Sequence, residues 1–248
     1  MTLGIILGSS LLNSDAFSSF RTAVCETPFG NVTYSEGTIL SRKVVFIRRH
    51  LFDPARPYTI PSEVNYKAMF QAFVQLECKK VIGFYSVGSL KESIPLGSVV
   101  VPDDYAYFGA PLHIFDDNRS HFVPVLDTEI RDCVIAILEK ADLHPVTMGT
   151  YLQTFGPRFE TKAEIRMYKE FFEYVGMTGA NEATLAQEQG MGFCMVGLID
   201  NMCHGLGEPL TVERFRELQN ENKSLMEKVV SCVIQERSEE RRVGKECR

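Results

Sequence analysis

The chain runs to 248 residues, 45% of them hydrophobic and 23% charged, with a formal net charge of −6. That length suits one large domain or at most two small ones, and the acidic balance gives no electrostatic footprint for nucleic acid. No run approaches the roughly 18 apolar residues of a membrane span, and the opening MTLGIILGSS is too short and too uncharged for a secretory signal.

In chain order, residues 3–7 (LGIIL) read as a short buried strand running into the small-residue loop Gly8-Ser9-Ser10. A second strand lies within 38–49 and closes on Arg48-Arg49-His50. The prolines of the following LFDPARPYTIP exclude helix there. Ser62 is expected to cap a helix over about 63–76, whose apolar face includes Val64, Met69, Ala72, Phe73 and Leu76. Residues 80–85 (KVIGFY) form a strand that ends at Ser86-Val87-Gly88-Ser89, and 98–102 form another. Residues 103–125 read as irregular and aromatic, 127–140 as an amphipathic helix, and 146–151 as a strand.

Gly156-Pro157 breaks the chain, so Arg158, Phe159 and Glu160 sit on a turn ahead of a helix over about 161–172. A short strand follows at Val175-Gly176-Met177-Thr178-Gly179 and ends in a loop. A helix over 182–189, a strand over 192–199 and a long helix over 211–236 complete the pattern. Strand and helix alternate without a repeat or linker. This predicts an α/β fold: a single domain over 1–236 with a mixed central sheet flanked by helices. The charged stretch 237–248 is expected to be disordered or foreign to the natural chain.

Seven cysteines, an odd number without C-x-x-C spacing, and five histidines without a ligand pattern suggest free thiols, a reducing cytoplasmic location and no metal. In an α/β sheet, a carboxylate on a turn before a helix and a hydroxyl at the end of the next strand face the same crevice. Glu160 and Thr178 fit that description.

GPRFET-x-AEI followed by VGMTG-x-x-EA-x-LA-x-E resembles the trimeric purine nucleoside and methylthioadenosine phosphorylases. The G-P-x-F-E-T form is similar to the branch that acts on 6-oxopurines, and the M-T-G run to bacterial methylthioinosine phosphorylases. The resemblance extends from Gly4 to about His204. It implies phosphate-dependent cleavage of a purine nucleoside to free base and sugar 1-phosphate. Inorganic phosphate would be the co-substrate, with no cofactor, and the chain would assemble as a homotrimer. The alternatives are a methylthioadenosine phosphorylase and a nucleoside-binding homologue without turnover.

The resemblance also implies roles for individual residues. Ser9, Arg49, His50, Ser86 (through its backbone amide) and Thr178 match the phosphate positions. Met177 matches the methionine under the ribose. Tyr58 stands where relatives usually carry a histidine, which leaves the handling of the sugar or its 5′ substituent open, and Tyr85 replaces a smaller polar residue. Phe159 belongs to the same base-binding turn as Glu160, the carboxylate that accepts from the N1–H of a 6-oxopurine. Asn201 matches the asparagine at N7 and O6. Glu160, Asn201 and His50 form the catalytic set. A shift of one residue would exchange Asn201 for Asp200, an adenine-reading arrangement; strand alternation allows only one of these neighbours to point at the base.

Overall fold

The strand at the N-terminus, β1 (Thr2–Leu7), is buried along its whole length. It is flanked by two parallel neighbours, β4 (Arg42–Arg48) and β5 (Cys78–Ser89). A strand hidden on both faces needs apolar residues throughout, hence the unbroken LGIIL. A computed structural model describes residues 2–12, 14 and 18–243, and its ten-stranded sheet has the order β2-β3-β4-β1-β5-β9-β8-β7. The hairpin β2 (Arg21–Thr27) and β3 (Gly30–Ile39) lies antiparallel at one side, and β10 (Gly192–Met202) pairs in parallel with β5. The other side carries β9 (Tyr174–Gly176), β8 (Thr150–Gln153) and β7 (Asp104–Tyr107), and β6 (Val99–Val100) pairs with β10. The mixed sheet is as expected.

Period-two alternation along β1 divides the core between the two faces. Ile6 joins α1 (Tyr66–Gln75) and α4 (Gly179–Glu188) through Phe70, Phe73, Leu185 and Ala186. Leu3, Ile5 and Leu7 turn the other way, toward α2 (Thr128–Lys140) and α5 (Val212–Val243), meeting Val134, Leu138, Val230 and Val233. Helix α3 (Lys162–Tyr168) begins at a capping box, with Thr161 and Glu164 each bonding the other's backbone amide.

Four local expectations need correction. The cap of α1 is Asn65, whose side chain accepts from Ala68 N at 3.1 Å; Ser62 instead belongs to a single 3₁₀ turn, Pro61–Glu63. The stretch expected to be irregular contains β7. The segment after β9 is not a loop, because α4 starts at Gly179, immediately after Thr178. Helix α5 continues past 236 to Val243, in keeping with the Glu- and Arg-rich sequence there, and the rest of the charged tail, 244–248, lies outside the described residues. Among the described residues no helix is long and apolar enough to cross a membrane. Cys25, Cys78, Cys133, Cys194, Cys203 and Cys232 are free thiols.

Candidate active site

The carboxyl ends of β1, β4 and β5, the end of β9 and the far part of β10 meet around one cleft of about 550 Å³. This is where open α/β sheets gather ligand-binding residues, because loops leaving neighbouring strand ends converge there. Ser9, Arg49, His50, Ser86, Met177, Thr178 and Asn201 all line it. Phe159 and Glu160 enter from the turn before α3, and Tyr58 from the proline-rich loop. The cleft therefore gathers every side chain that the resemblance assigned to the site, and Asp200, the alternative to Asn201, does not line it.

At one end the chemistry suits an anion. Arg49 is 2% exposed, and its Nε and Nη2 engage both carboxylate oxygens of the fully buried Glu182, the second at 2.8 Å. Tyr85 donates to the same carboxylate at 2.5 Å and lies under the guanidinium at 4.6 Å. Burial alone would lower the Arg49 pKa, but Glu182 outweighs it and holds the guanidinium charged. Nη1 has only a long contact, 3.5 Å to Phe84 O, among the described residues. Gly8 makes that fork possible. A Cβ there would stand 2.6 Å from Phe84 O and 3.0 Å from Arg49 Nη1.

His50 Nδ1 lies 2.7 Å from the Thr59 carbonyl. A carbonyl can only accept, so Nδ1 carries the proton and Nε2 keeps its lone pair. Burial, then Arg49, pull the pKa of this imidazole down to about 4, against the opposing bond to Thr59. His50 is therefore neutral near pH 7 and stacks on Tyr58 at 5.3 Å. Thr178 is 5% exposed, and no described residue caps with or bonds its hydroxyl. The amides of Thr178 and Gly179 are fixed by the Tyr151 hydroxyl, at 3.3 and 3.1 Å.

At the other end, Glu160 is 7% exposed and accepts from Thr154 Oγ1 at 2.5 Å, which leaves a second carboxylate oxygen for the cleft. Burial raises its pKa, and the Thr154 bond opposes that. Arg158, two residues earlier, turns away to Glu164. Asn201 is also 7% exposed, and no described residue bonds its amide. Buried amides are normally satisfied, so one that lines a cleft without a protein partner is addressed to a ligand. Gly88 leaves it room, since a Cβ there would come within 3.0 Å of Asn201 Oδ1.

One wall was missed. Val212, Phe215, Arg216, Gln219 and Lys223 of α5 line the cleft at helical spacing. Phe215 meets Phe159 edge-on at 5.2 Å, and Gln219 Nε2 donates to Ser9 Oγ at 2.6 Å. The signal was present in the sequence as a polar interruption ahead of the apolar stripe of Met226, Val229, Val230 and Val233. Among the described residues no group of three or more His, Cys, Asp or Glu is arranged to hold a metal ion.

A family model described as the phosphorylase superfamily matches residues 2–235. A protein of Archaeoglobus fulgidus named a probable 6-oxopurine nucleoside phosphorylase is 35% identical, over 95% of this chain and 98% of its own. Two proteins of Pyrococcus furiosus are similar to almost the same degree. A 6-oxopurine nucleoside phosphorylase is 31% identical and an S-methyl-5′-thioadenosine phosphorylase 30%, each covering 98% of this chain and 95% of the relative. Methylthioadenosine phosphorylase from Schistosoma mansoni, solved with adenine, has the same fold, with a TM-score of 0.78 at 22% identity over 94% of this chain and 91% of that one. The two Pyrococcus proteins are named for different bases and yet stand equally near, so overall similarity identifies the family and not the base: the chain belongs to the phosphorylase superfamily, among its purine nucleoside phosphorylases.

Proposed function

We propose that this chain is a 6-oxopurine nucleoside phosphorylase that converts an inosine-, guanosine- or methylthioinosine-type nucleoside and phosphate to free base and (methylthio)ribose 1-phosphate. The observation that carries this reading is the pair Glu160 and Asn201. Both are almost buried, both line the cleft, and both keep hydrogen-bonding capacity that no described residue uses. A carboxylate accepts and cannot donate, so it fits a purine with a proton on N1. That proton is present in hypoxanthine and guanine and absent in adenine. Sites built to bond a particular group reject analogues lacking it by large factors.

In this reading phosphate sits among Ser9, Arg49 Nη1, the Ser86 amide and Thr178, with the sugar over Met177 beside Tyr58. Phosphate oxygen attacks C1′ as the C1′–N9 bond breaks, and the bonding electron pair passes into the purine. Asn201 donates to O6 and accepts from N7 once that atom has taken a proton from water, which stabilises the leaving base where charge builds up. Neutral His50 accepts through Nε2 from a phosphate or sugar hydroxyl and so orients a reactant without adding charge. Large apolar side chains stand exposed beside the Glu160 turn, Phe108 at 72% and Phe155 at 62%. They support assembly into the trimer implied by the resemblance, which light scattering tests.

The deciding experiment follows base release from inosine and from adenosine with and without phosphate. Phosphate-dependent release that favours inosine is the expected result. Release without phosphate, or release from adenosine alone, would overturn the reading.

A further inference from the structure

Asp200 is the group that the reaction, as described, does not use. Between β5 and β10 the register moves from Ile199 opposite Val87 to Asn201 opposite Gly88, so Asp200 is the extra residue of a bulge. Its side chain is fully buried behind the phosphate end of the cleft. Oδ2 accepts from Ser86 Oγ and, at 3.4 Å, from Ser10 Oγ, and Oδ1 accepts from Asn222 Nδ2 at 2.8 Å. Asp200 forms no ion pair with a described residue. The charged groups around it come from several elements. Arg49 after β4 is matched by Glu182 of α4, Arg216 and Lys223 line the α5 wall, and Glu227 of α5 takes the Ser14 hydroxyl. His50 is neutral, so the floor of the subsite carries a guanidinium, the carboxylate that matches it, and a second carboxylate in Asp200.

Whatever Arg216 and Lys223 supply from the α5 wall, an ionised Asp200 sets a negative charge directly behind a site that must hold a phosphate dianion. The hydroxyls sharpen the problem. Ser86 has a single proton and gives it inward to Asp200, while Gln219 Nε2 already donates to Ser86 Oγ at 3.4 Å. A hydroxyl bonded in this way can only present lone pairs to an anion.

We propose that Asp200 is a proton-linked positioning residue of the phosphate subsite: it takes a proton from solvent as phosphate enters, and thereby turns the Ser86 hydroxyl proton outward to the anion. Protonated Asp200 donates to Ser86 Oγ, Ser86 donates to a phosphate oxygen, and the negative charge behind the anion is gone. Asn222 remains as the donor to Oδ1, the carbonyl side of the acid, and Ser10 stays beside Oδ2, whose remaining lone pair it still meets. Burial, against the bonds from Asn222 and Ser10, raises the Asp200 pKa to about 7, so the proton is available near neutral pH.

This inference rests on the phosphorylase reading, and the test separates the two. Phosphate and, separately, sulfate, which has no proton to exchange in this range, are titrated into the intact protein at pH 8 by calorimetry. Two buffers of different ionisation enthalpy give the number of protons taken up. Close to one proton per site is expected with sulfate. Its affinity should fall about tenfold from pH 6 to pH 8, as linkage to one group titrating near 7 requires. In Asp200→Asn, where the amide donates permanently, both the uptake and the slope should vanish, and with phosphate the uptake should drop by about one proton relative to the unaltered protein. Phosphate-dependent base release without that uptake, or with the same uptake in Asp200→Asn, would refute the role of Asp200 alone. Base release that ignores phosphate would refute the phosphorylase reading itself.

Discussion

Replacing Glu182 with Gln keeps the volume of the side chain and removes its charge, and the consequence can be worked from the burial of its partner. Arg49 is 2% exposed and Glu182 fully buried, so water cannot take the place of the lost carboxylate. Removing one member of a buried ion pair leaves an uncompensated charge and costs about 3–5 kcal/mol. The Tyr85 ring under the guanidinium persists in the variant and holds the loss toward the lower end. For a chain of this size each kcal/mol moves the melting temperature by about 2–4 °C, so a fall on the order of 10 °C is expected. The variant should also be rescued by its substrate, because a phosphate dianion in the cleft becomes the nearest counter-charge for Arg49. Thermal melts followed by circular dichroism, with and without phosphate, check both parts. A melting temperature within about 2 °C of the unaltered protein would refute the reasoning, since a shift that small is under about 1 kcal/mol. An equal phosphate increment in the two proteins would do the same.

Three further outcomes follow from distances already given. Gly8→Ala puts a Cβ 2.6 Å from the Phe84 carbonyl and 3.0 Å from Arg49 Nη1, so the KM for phosphate should rise much more than that for nucleoside; equal changes in both would argue against the contact. Glu160→Ala should lower kcat/KM for inosine far more than for adenosine, by the roughly 1.5–3 kcal/mol of a charge-assisted hydrogen bond, and equal losses would remove Glu160 from base selection. Asp200 also gives stability a pH dependence. Its folded pKa of about 7 lies above the ordinary 3.8, so the folded protein holds the proton more tightly. The stability tied to that proton is intact below about pH 4 and is lost as the pH rises to about 7, by at most about 4 kcal/mol. Denaturant titrations of Asp200→Asn should show that decline flattened, and an unchanged decline would assign it to other groups.

The parts of the fold legible in the sequence were those set by one strong local signal. The apolar runs of β1 and β5 could hardly be anything but buried strands, and the break at Gly156-Pro157 set the turn ahead of α3. The hairpin of β2 and β3 was not read, because it lies at the side of the sheet and its burial pattern is mostly exposed and intermediate, with little apolar periodicity. Ser62 and Asn65 are both good caps. Only the 3₁₀ turn between them decides that Asn65 is used. The cleft residues were legible for a different reason: most were named by the resemblance to the purine nucleoside phosphorylases, and only Glu160 and Thr178 also by their place on a turn before a helix and at a strand end. The partners that tune them were not. Glu182 is far from Arg49 in sequence and Gln219 farther still from Ser9, and no local pattern announces a contact made across the sheet.

The pair Asp200 and Asn201 shows where local reasoning misleads even at the right residues. Strict alternation would send the two side chains to opposite faces, one toward the base and one into the core. The bulge breaks that rule, and both neighbours serve the same end of the sheet. Asn201 lines the cleft with its amide unbonded by any described residue, while Asp200 goes beneath the phosphate loop to Ser10, Ser86 and Asn222. The choice between them is therefore not a choice between two base readers. In the proposed reading, Asn201 selects the base by what it can both donate and accept. An aspartate one residue earlier, held away from solvent, governs through Ser86 whether the other substrate is met by a proton or by lone pairs. Asn201→Asp would place a second carboxyl within reach of the first, and its effect on base choice has to be measured at a pH where Asp200 is protonated, near 6, if the two roles are to be told apart.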